Sequence, residues 1–352
     1  MPNVLDLPHC MRVYKDLSAL PTFKKAVVTI GTFDGVHLGH RQIIAQLKEE
    51  AANIGGESVI ITFHPHPRKI ISSVPGDIKL LNTLDERIEL LAKTGIDHLV
   101  IVPFNHQFAN QTAEQYIKDF LYKNFKPHTV IIGYDHRFGK GREGDYHLMD
   151  KYGAQLGFSV KEISEEILNE VIVSSTKIRQ SLLQSDIATA NSFLGYDYFF
   201  EGLVVEGNKI GRTIGYPTAN LHIESEEKLI PGNGVYAVMV EGKREQAIGN
   251  RQDAIGDDPA FTSPHSPFTI DNSPFTSDLS PLKGMMNIGL RPTVDGKQRM
   301  IEVNIFDFNA DIYGQVLRVY IKKYIRGEVK FNGLDALKDQ LLKDKIAAIE
   351  SL

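Results

Sequence analysis

The chain has 352 residues with 39 basic and 44 acidic side chains, which gives a formal net charge of −5 at pH 7 and a length that suits about two domains. Its apolar share of 42% and charged share of 24% are ordinary for a folded globular protein, and the acidic balance argues against a protein that coats nucleic acid. The single cysteine, Cys10, excludes an intramolecular disulfide and a zinc site built on several thiolates.

The first half of the chain alternates short apolar runs with longer helical stretches. Apolar, β-branched runs predict buried strands at 26–30, 58–63, 98–104, 129–133 and 158–163. The spacing of apolar residues between them predicts helices at 38–53, 83–93 and 112–123. This alternation is typical of βαβ units and a parallel sheet, whose ligands bind at the carboxyl ends of the strands.

The second half changes character, because no long helical stretch separates its apolar runs. Alternating Ile301, Val303 and Ile305 on one side, with Glu302 and Asn304 on the other, indicate a strand with one apolar face. Together with a C-terminal helical spacing, the pattern predicts an antiparallel β barrel or sandwich with one terminal helix. Strands are predicted at 199–206, 234–240, 300–308 and 316–325, and the helix at 334–351.

These patterns predict a first domain at 1–183 and a second at 184–352, interrupted by a segment of different composition at 245–282. That segment contains five prolines, and the tripeptide Ser-Pro-Phe occurs in it twice. Because such a composition cannot bury enough apolar surface to order itself, we predict a flexible surface insertion. A segment that folds on a partner is the alternative, and only the two phenylalanines of the Ser-Pro-Phe repeat favour it.

The strongest local signal follows the first predicted strand, where the turn 31–40 contains three glycines and two histidines. His37 and His40 are three apart, so they share one face of the helix that begins there. The helix N-terminus offers free N–H groups and a positive dipole end to an anion, and Gly39 lets phosphate approach the backbone. Two imidazoles can donate to phosphate oxygens. A pair of capping or core histidines is the alternative.

Neither a P-loop nor a dinucleotide-binding glycine fingerprint after a strand occurs, so a nucleotide would bind at the histidine turn. His64 and His66 each precede a proline after the second strand, where they could line the same cleft. Zinc is a poor interpretation of these two residues, because no third ligand is placed near them.

A second polar stretch, in the sequence before the domain boundary, opens a predicted helix. The hydroxyls of Ser174, Ser175 and Thr176 can cap this helix. The cations of Lys177 and Arg179 follow these hydroxyls and can pair with phosphate oxygens. A solvated helix face is the alternative for the two cations.

In the second half, glycines recur every four residues with cations between them, and polar oxygens follow. The glycine-rich part suits a flap that lets backbone approach phosphate, although on its own it is more typical of a β turn. Thr218 and Asn220 are two apart on an extended segment, so they point the same way and offer hard oxygens suited to Mg²⁺. The residues of the flap are Gly207, Lys209, Gly211, Arg212 and Gly215.

The turn 31–40 resembles the HxGH signature of the nucleotidyltransferase superfamily. Six further motifs follow in order: ITFHPHPR at 61–68, VIIGYDHRFGKGREGD at 130–145, VSSTKIR at 173–179, GNKIGRTIGYPTANL at 207–221, NIGLRPTV at 287–294 and IEVNIFDF at 301–308. In this order they resemble the bifunctional prokaryotic riboflavin kinase/FAD synthetase family. The resemblance covers nearly the whole chain apart from 245–282.

The resemblance implies a fold and two reactions. The first domain would be an α/β nucleotidyltransferase with a Rossmann-like parallel sheet, and the second an antiparallel β-barrel with a terminal helix. The second would phosphorylate riboflavin to FMN with ATP, and the first would adenylylate FMN to FAD with release of pyrophosphate, both with Mg²⁺. ATP, riboflavin and FMN are then the partners, flavoproteins could accept the product, and no nucleic-acid or membrane partner is predicted.

For adenylyl transfer, the resemblance implies that His37 and His40 are catalytic and hold the triphosphate. The chain departs from the family at His136, where an aromatic residue is more common. The further nucleotide contacts that it implies are Gly31, Phe33, Asp34, Gly39, His64, Ser174, Ser175, Thr176, Lys177 and Arg179. The flavin contacts that it implies are Phe63, Asp135, Phe138 and Arg142.

For the kinase reaction, the resemblance implies that Glu302 is the general base, and that Thr218 and Asn220 hold the metal. The chain has Asn304 where the family commonly has histidine, so the support of Glu302 differs here. The nucleotide contacts that the resemblance implies are Gly207, Lys209, Gly211, Arg212 and Gly215. The flavin contacts that it implies are Arg291 and Thr293.

Two other hypotheses stay open. A single-activity enzyme would have one silent site, and a flavin-binding sensor would have no turnover. Retention of both histidines and Glu302 argues against each, because mere binding does not demand a general base. An aminoacyl-tRNA synthetase would need a basic RNA-binding extension that this chain lacks. A serine β-lactamase is excluded, because its motifs occur here in reversed order.

The sequence also bears on location. Its longest apolar runs, such as 27–30 and 130–132, are far shorter than the roughly 20 residues that span a bilayer. Residues 1–11 have no basic region followed by an apolar one, so they do not resemble a signal peptide. We therefore predict a cytoplasmic protein.

Overall fold

A computed structural model describes residues 11–71, 78–134, 136–163, 173–207, 210–242, 281–293 and 296–352, with only the backbone of 210, 291–293 and 296–298. The predicted insertion at 245–282 lies outside these residues except for its last two positions. The chain divides into two compact units. The first contains the described residues up to Gln184 with Thr189–Tyr196 and Glu227–Ile230; the second contains Ser185–Ala188, Asp197–Glu226 and the described part of Pro231–Leu352.

The first unit contains a six-stranded sheet in the order β1-β4-β3-β2-β5-β6, and every neighbouring pair is parallel. The prediction of a parallel α/β fold is therefore confirmed. The edge strand β1 was not predicted, because three residues are too short to produce a periodic signal. The strands are β1 Arg12–Tyr14, β2 Val27–Ile30, β3 Ser58–His64, β4 His98–Pro103, β5 Thr129–Gly133 and β6 Ser159–Ile163.

Helices connect these strands, and their ends follow local capping. Thr83 and Glu86 form a capping box at the start of α3, each side chain accepting from the other residue's backbone N–H. The helix predicted at 112–123 is α at both ends and π in the middle, at Tyr116–Tyr122. The helices are α1 Leu38–Ile54, α2 Pro67–Ile71, α3 Leu84–Ala92, α4 His106–Ala109, α5 Ala113–Gln115, α6 Lys123–Phe125, α7 Tyr146–Leu156, α8 Ser175–Leu183 and α9 Ile187–Leu194.

The second unit is a closed barrel in the order β10-β11-β8-β7-β12-β9, with antiparallel pairs throughout. The barrel is thus confirmed over a sandwich. Strands β8 and β10 escaped prediction, because β8 has four residues and β10 contains Gly284 and Gly289. The strands are β7 Phe199–Val205, β8 Ala219–His222, β9 Gly234–Gly242, β10 Leu282–Thr293, β11 Gly296–Ile305 and β12 Val316–Arg326, with the short helix α10 Ile210–Thr213 after β7.

The predicted terminal helix is present as α11, Leu334–Glu350. Its buried residues are Asp344 and Ala348, whereas four of the apolar residues that predicted it are exposed. The Arg326 guanidinium at the end of β12 donates twice to the Asp344 carboxylate, at 2.8 and 2.6 Å, and so joins the helix to the barrel. Within the described ranges, no helix is both long and apolar enough to cross a membrane.

Candidate active sites

The histidine turn lies at the carboxyl end of β2, where the topology of a parallel sheet places ligands. His37 is the N-cap of α1, and its Nδ1 accepts from His40 N at 3.4 Å. The two rings stack with centroids 3.7 Å apart. Because Nδ1 of His37 is the acceptor, the proton of its neutral ring lies on Nε2, which is free of the cap and can donate to a phosphate.

Burial keeps both imidazoles neutral. It lowers the pKa of His37 to about 4, against a partial opposing effect of the Asp34 carboxylate. It lowers the pKa of His40 well below its usual range, and the neighbouring His37 adds to this. His40 Nδ1 is also buried and has no hydrogen-bond partner among the described residues. At pH 7 both rings are therefore neutral, and each can offer one N–H donor to a ligand.

The depressed pKa values predict how stability depends on pH. His37 and His66 both have a pKa lowered by burial from 6.5 to about 4. Between these values the unfolded chain binds more protons than the folded one, so stability is full above about 6.5 and falls as the pH drops towards 4. Each histidine contributes up to about 1.4 kcal/mol per pH unit in this window.

Urea denaturation followed by circular dichroism from pH 4 to 7.5 measures this slope. We expect His66→Gln to reduce it by about one proton, because glutamine does not titrate. An unchanged slope in that variant would contradict the expectation.

The backbone of the turn is unusual for residues with side chains. Phe33 and Val36 have φ of 49° and 38°, in the left-handed region that favours glycine. Such conformations cluster at ligand sites and persist only where the surroundings enforce them. The Phe33 ring packs at 5.0 Å from the His40 ring, and a Cβ on Gly39 would lie 3.3 Å from the His37 ring. Predicted contacts Phe33 and Gly39 thus shape the histidine pair.

The start of α8 reaches the same turn. Ser174 is the N-cap of α8 and accepts from Lys177 N at 3.3 Å, so the predicted hydroxyl cap is confirmed at this residue. Ser175 Oγ donates to Asp34 O at 2.9 Å. Arg179 Nη2 lies 2.5 Å from Asp34 Oδ2. The structure therefore brings two motifs together that are about 140 residues apart, while Thr176 and Lys177 lie exposed on the first turn of the helix.

Asp34 forms the centre of this junction. It is 1% exposed, and its carboxylate accepts from Leu81 N and Asn82 N at 3.0 and 3.2 Å as well as from Arg179. These partners give the carboxylate a structural role that its motif did not indicate. A direct contact between Asp34 and a nucleotide stays a prediction.

Arg87 on α3 is a residue of this region that sequence reasoning missed. It is buried, and it donates to Thr32 O at 2.6 Å and to Phe63 O at 3.2 Å, so it joins the ends of β2 and β3. Its charge also contributes to the lowered pKa of His64 and His66, after burial. No local signal marks it, because an arginine on a helix is usually solvated.

Of the four residues predicted to contact flavin in the first unit, the structure describes Phe63, Phe138 and Arg142. Phe63 and Phe138 both belong to the hydrophobic core, where Phe138 stacks on Tyr116 with centroids 4.9 Å apart. Arg142 is exposed on a short turn, and Asp135 lies outside the described residues. Contacts of these four residues with flavin stay predictions.

In the second unit, a cavity of about 440 Å³ is lined by residues of the barrel strands and of α11. The alternation predicted for β11 is confirmed, since Ile301, Val303 and Ile305 are buried while Glu302 and Asn304 line the cavity. Its other lining residues include Gly211, Thr218, Met285, Met300 and Leu341.

The register of the barrel places the predicted base and metal ligands together. Glu302 on β11 lies directly opposite Asn220 on β8, where Cβ atoms of antiparallel partners are about 5 Å apart. Asn220 is buried, and its Oδ1 has no hydrogen-bond partner among the described residues. A buried oxygen without a donor, beside a carboxylate, fits a hard cation such as Mg²⁺.

The glycine flap packs against these ligands. A Cβ on Gly207 would clash with the Asn220 side chain, and one on Gly211 would clash with Tyr216 O. Gly215 has φ of 85°. Close approach, rather than flexibility alone, therefore explains the first two glycines. Arg212 is exposed, Lys209 lies outside the described residues, and only the backbone of Arg291 and Thr293 on β10 is described.

Asn304 contacts the backbone beside Thr218, one of the two predicted metal ligands. It is buried, and its Nδ2 donates to Pro217 O at 2.6 Å, directly before Thr218. We expect Asn304→Ala to lower the rate of riboflavin phosphorylation by roughly 3- to 10-fold, because it removes one hydrogen bond of about 1 kcal/mol. FAD formation from FMN by the same preparation is the internal control. A kinase rate equal to that of the unaltered protein would contradict the expectation.

Comparisons with known proteins match both halves of the chain. A family model described as FAD synthetase matches residues 20–177, and one described as riboflavin kinase matches residues 194–352. A bifunctional riboflavin kinase/FMN adenylyltransferase of Escherichia coli strain K12 is 35% identical over 97% of this chain and 96% of its own. One of Bacillus subtilis strain 168 is 34% identical over 92% of each chain. A crystal structure titled as a macrolide-efflux protein from Streptococcus pneumoniae has a TM-score of 0.77, with 29% identity over 96% of this chain and 98% of that one.

Proposed function

Because this chain belongs to the family of bifunctional riboflavin kinase/FMN adenylyltransferases, we propose that it converts riboflavin to FMN and FMN to FAD at two separate sites. One observation carries the proposal: the groups suited to each reaction lie in different units. The histidine pair and Arg179 belong to the first unit, and Glu302 and Asn220 belong to the second.

The kinase step follows from the position of Glu302. Its carboxylate accepts the proton of the terminal riboflavin hydroxyl as the hydroxyl oxygen bonds to the γ-phosphorus of ATP. The bond from that phosphorus to the bridging oxygen breaks, and ADP leaves. Thr218 and Asn220 would hold Mg²⁺, which neutralises phosphate charge when bound. Asn304 keeps the backbone beside them in place.

The adenylyl-transfer step needs positioning and charge neutralisation more than a protein nucleophile. A phosphate oxygen of FMN bonds to the α-phosphorus of ATP, the bond to the bridging oxygen breaks, and pyrophosphate leaves. His37 and His40 donate hydrogen bonds to the triphosphate, and the N-terminus of α1 faces it. Lys177 and Arg179 would stabilise the departing pyrophosphate.

We further propose that Mg²⁺ is the cation and that the protein is cytoplasmic. The proposed domain limits are 1–183 and 184–352. Flavoproteins would accept the FAD, and no nucleic-acid or membrane partner is proposed.

Two separate assays test the proposal. Purified protein with riboflavin, ATP and Mg²⁺ should form FMN and ADP, and protein with FMN, ATP and Mg²⁺ should form FAD and pyrophosphate. Excess EDTA should stop both reactions, and added Mg²⁺ should restore them. Product in only one assay would favour a single-activity enzyme, and flavin binding without either product would favour a sensor.

A further inference from the structure

A buried ion pair in the first unit joins two segments that are far apart in sequence. Lys228 Nζ lies 2.6 Å from Glu86 Oε2, and each side chain is 1% exposed. Lys228 Nζ also donates to Leu81 O at 2.7 Å. Because removing two charges from water offsets much of their attraction, such a pair is weak evidence for a stabilising role and raises the question of a positional one.

The ion pair holds residues 80–86 against residues 227–229. Leu80 N donates to Glu227 O at 2.7 Å, and Leu229 N donates to Leu80 O at 2.8 Å, so the two segments form a short parallel bridge. Glu86 Oε2 also accepts from Thr83 N at 2.9 Å, at the start of α3. Two backbone hydrogen bonds and two contacts of the Lys228 ammonium therefore attach the two segments.

The segment held in this way is the one that binds Asp34. Leu81 and Asn82 donate to the Asp34 carboxylate through their backbone N–H groups, and the same carboxylate binds Arg179. Leu81 thus contacts Lys228 through its carbonyl and Asp34 through its N–H. A continuous set of contacts runs from Lys228 to the histidine turn and to Arg179.

Lys228 comes from an unexpected part of the chain. It lies between β8 and β9, two strands of the barrel, and within the residues that match the riboflavin kinase model. Residues 227–230 nevertheless pack within the first unit. The kinase half of the sequence therefore supplies a buried charge to the unit that contains the histidine pair.

We propose that Lys228 is a positioning residue for adenylyl transfer. It neutralises Glu86 and so holds residues 80–82, which hold Asp34, the histidine turn and Arg179 in the geometry that receives the triphosphate. This inference rests on the proposed function of the histidine turn. Lys228 itself contacts no substrate in this arrangement.

Kinetics of the full-length Lys228→Met variant test the inference. We expect kcat for FAD formation from FMN to fall at least 10-fold and KM for ATP to rise at least threefold. KM for FMN and the rate of riboflavin phosphorylation should stay within twofold. A variant that merely contained less folded protein would lower kcat without raising KM for ATP, so the two KM values separate positioning from general damage.

A second variant keeps the test decisive if Lys228→Met folds poorly. Lys228→Met combined with Glu86→Gln removes both charges, and glutamine can still accept from Thr83 N and donate to Leu81 O. We expect this double variant to recover FAD formation to within about threefold. Lys161→Met is the matched control, because Lys161 pairs with Glu50 at the same 2.6 Å in the same unit but is 54% exposed; it should change neither reaction.

Two results would overturn the inference: Lys228→Met with unaltered kcat and KM for ATP, or a folded double variant as slow as the single one. An assay of the unaltered protein distinguishes a failure of this inference from a failure of the proposed function. If it forms no FAD from FMN, the assignment of the turn fails rather than the role of Lys228.

Discussion

Replacing His37 and His40 together by alanine is expected to abolish FAD formation from FMN while riboflavin phosphorylation stays within about twofold. Removing one preorganised donor to a developing charge typically costs about 10²- to 10³-fold in rate. Two such donors on one phosphate chain should therefore cost at least about 10³-fold. The kinase is spared because its groups belong to the other unit. Chromatography of products from FMN and from riboflavin measures both rates.

The double substitution also removes a helix cap, so its controls address folding. His37 caps α1, and loss of a cap costs about 1 kcal/mol of stability. His37→Asn with His40→Asn retains a good capping residue and should be as inactive in FAD formation as the alanine variant. His147→Ala, an exposed histidine on α7, should be neutral. Loss of both activities in a folded histidine variant would contradict the division of labour.

The second large effect is expected for Glu302→Gln, with the opposite pattern. Glutamine keeps the size of the side chain opposite Asn220 but cannot accept the hydroxyl proton. A general base raises the reaction rate by about 10²- to 10⁴-fold, so the rate of riboflavin phosphorylation should fall by that factor. FAD formation should be unchanged when FMN is supplied.

Phosphorylation of riboflavin over 10 minutes to several hours, with product quantified by fluorescence after separation, measures this loss. Glu224→Gln is a suitable control, because Glu224 is an exposed carboxylate in the same unit. A Glu302→Gln kinase within threefold of the unaltered protein would show that another group takes the proton.

The parts of the site that could be predicted from the sequence are local. The strand, turn and helix around His37 and His40 lie within a short stretch, so spacing alone indicates which faces they share. The same holds for the Ser174 cap and for the alternation around Glu302. The family resemblance implies only that Asn220 and Glu302 serve the same reaction, and the register of β8 and β11 shows that they lie opposite each other.

The parts that escaped prediction depend on contacts between distant segments. Arg87 joins two strand ends, and Lys228 reaches Glu86 across 142 residues, and neither belongs to a local pattern. Asp34 belongs to a recognisable motif, but only the fold shows that its carboxylate is surrounded by protein donors. Strand β10 was hidden by its two glycines, which interrupt the apolar alternation that predicts strands.

The measurement that tests the two-site account most directly is a time course with purified protein, riboflavin, ATP and Mg²⁺. Chromatography separates riboflavin, FMN and FAD at each time. We expect FMN to appear first and FAD to follow after a lag. We also expect a mixture of the histidine variant and the Glu302 variant to restore FAD formation from riboflavin. FAD without a lag and without free FMN, or a mixture that forms no FAD although each variant retains its one activity, would contradict two independent sites joined by released FMN.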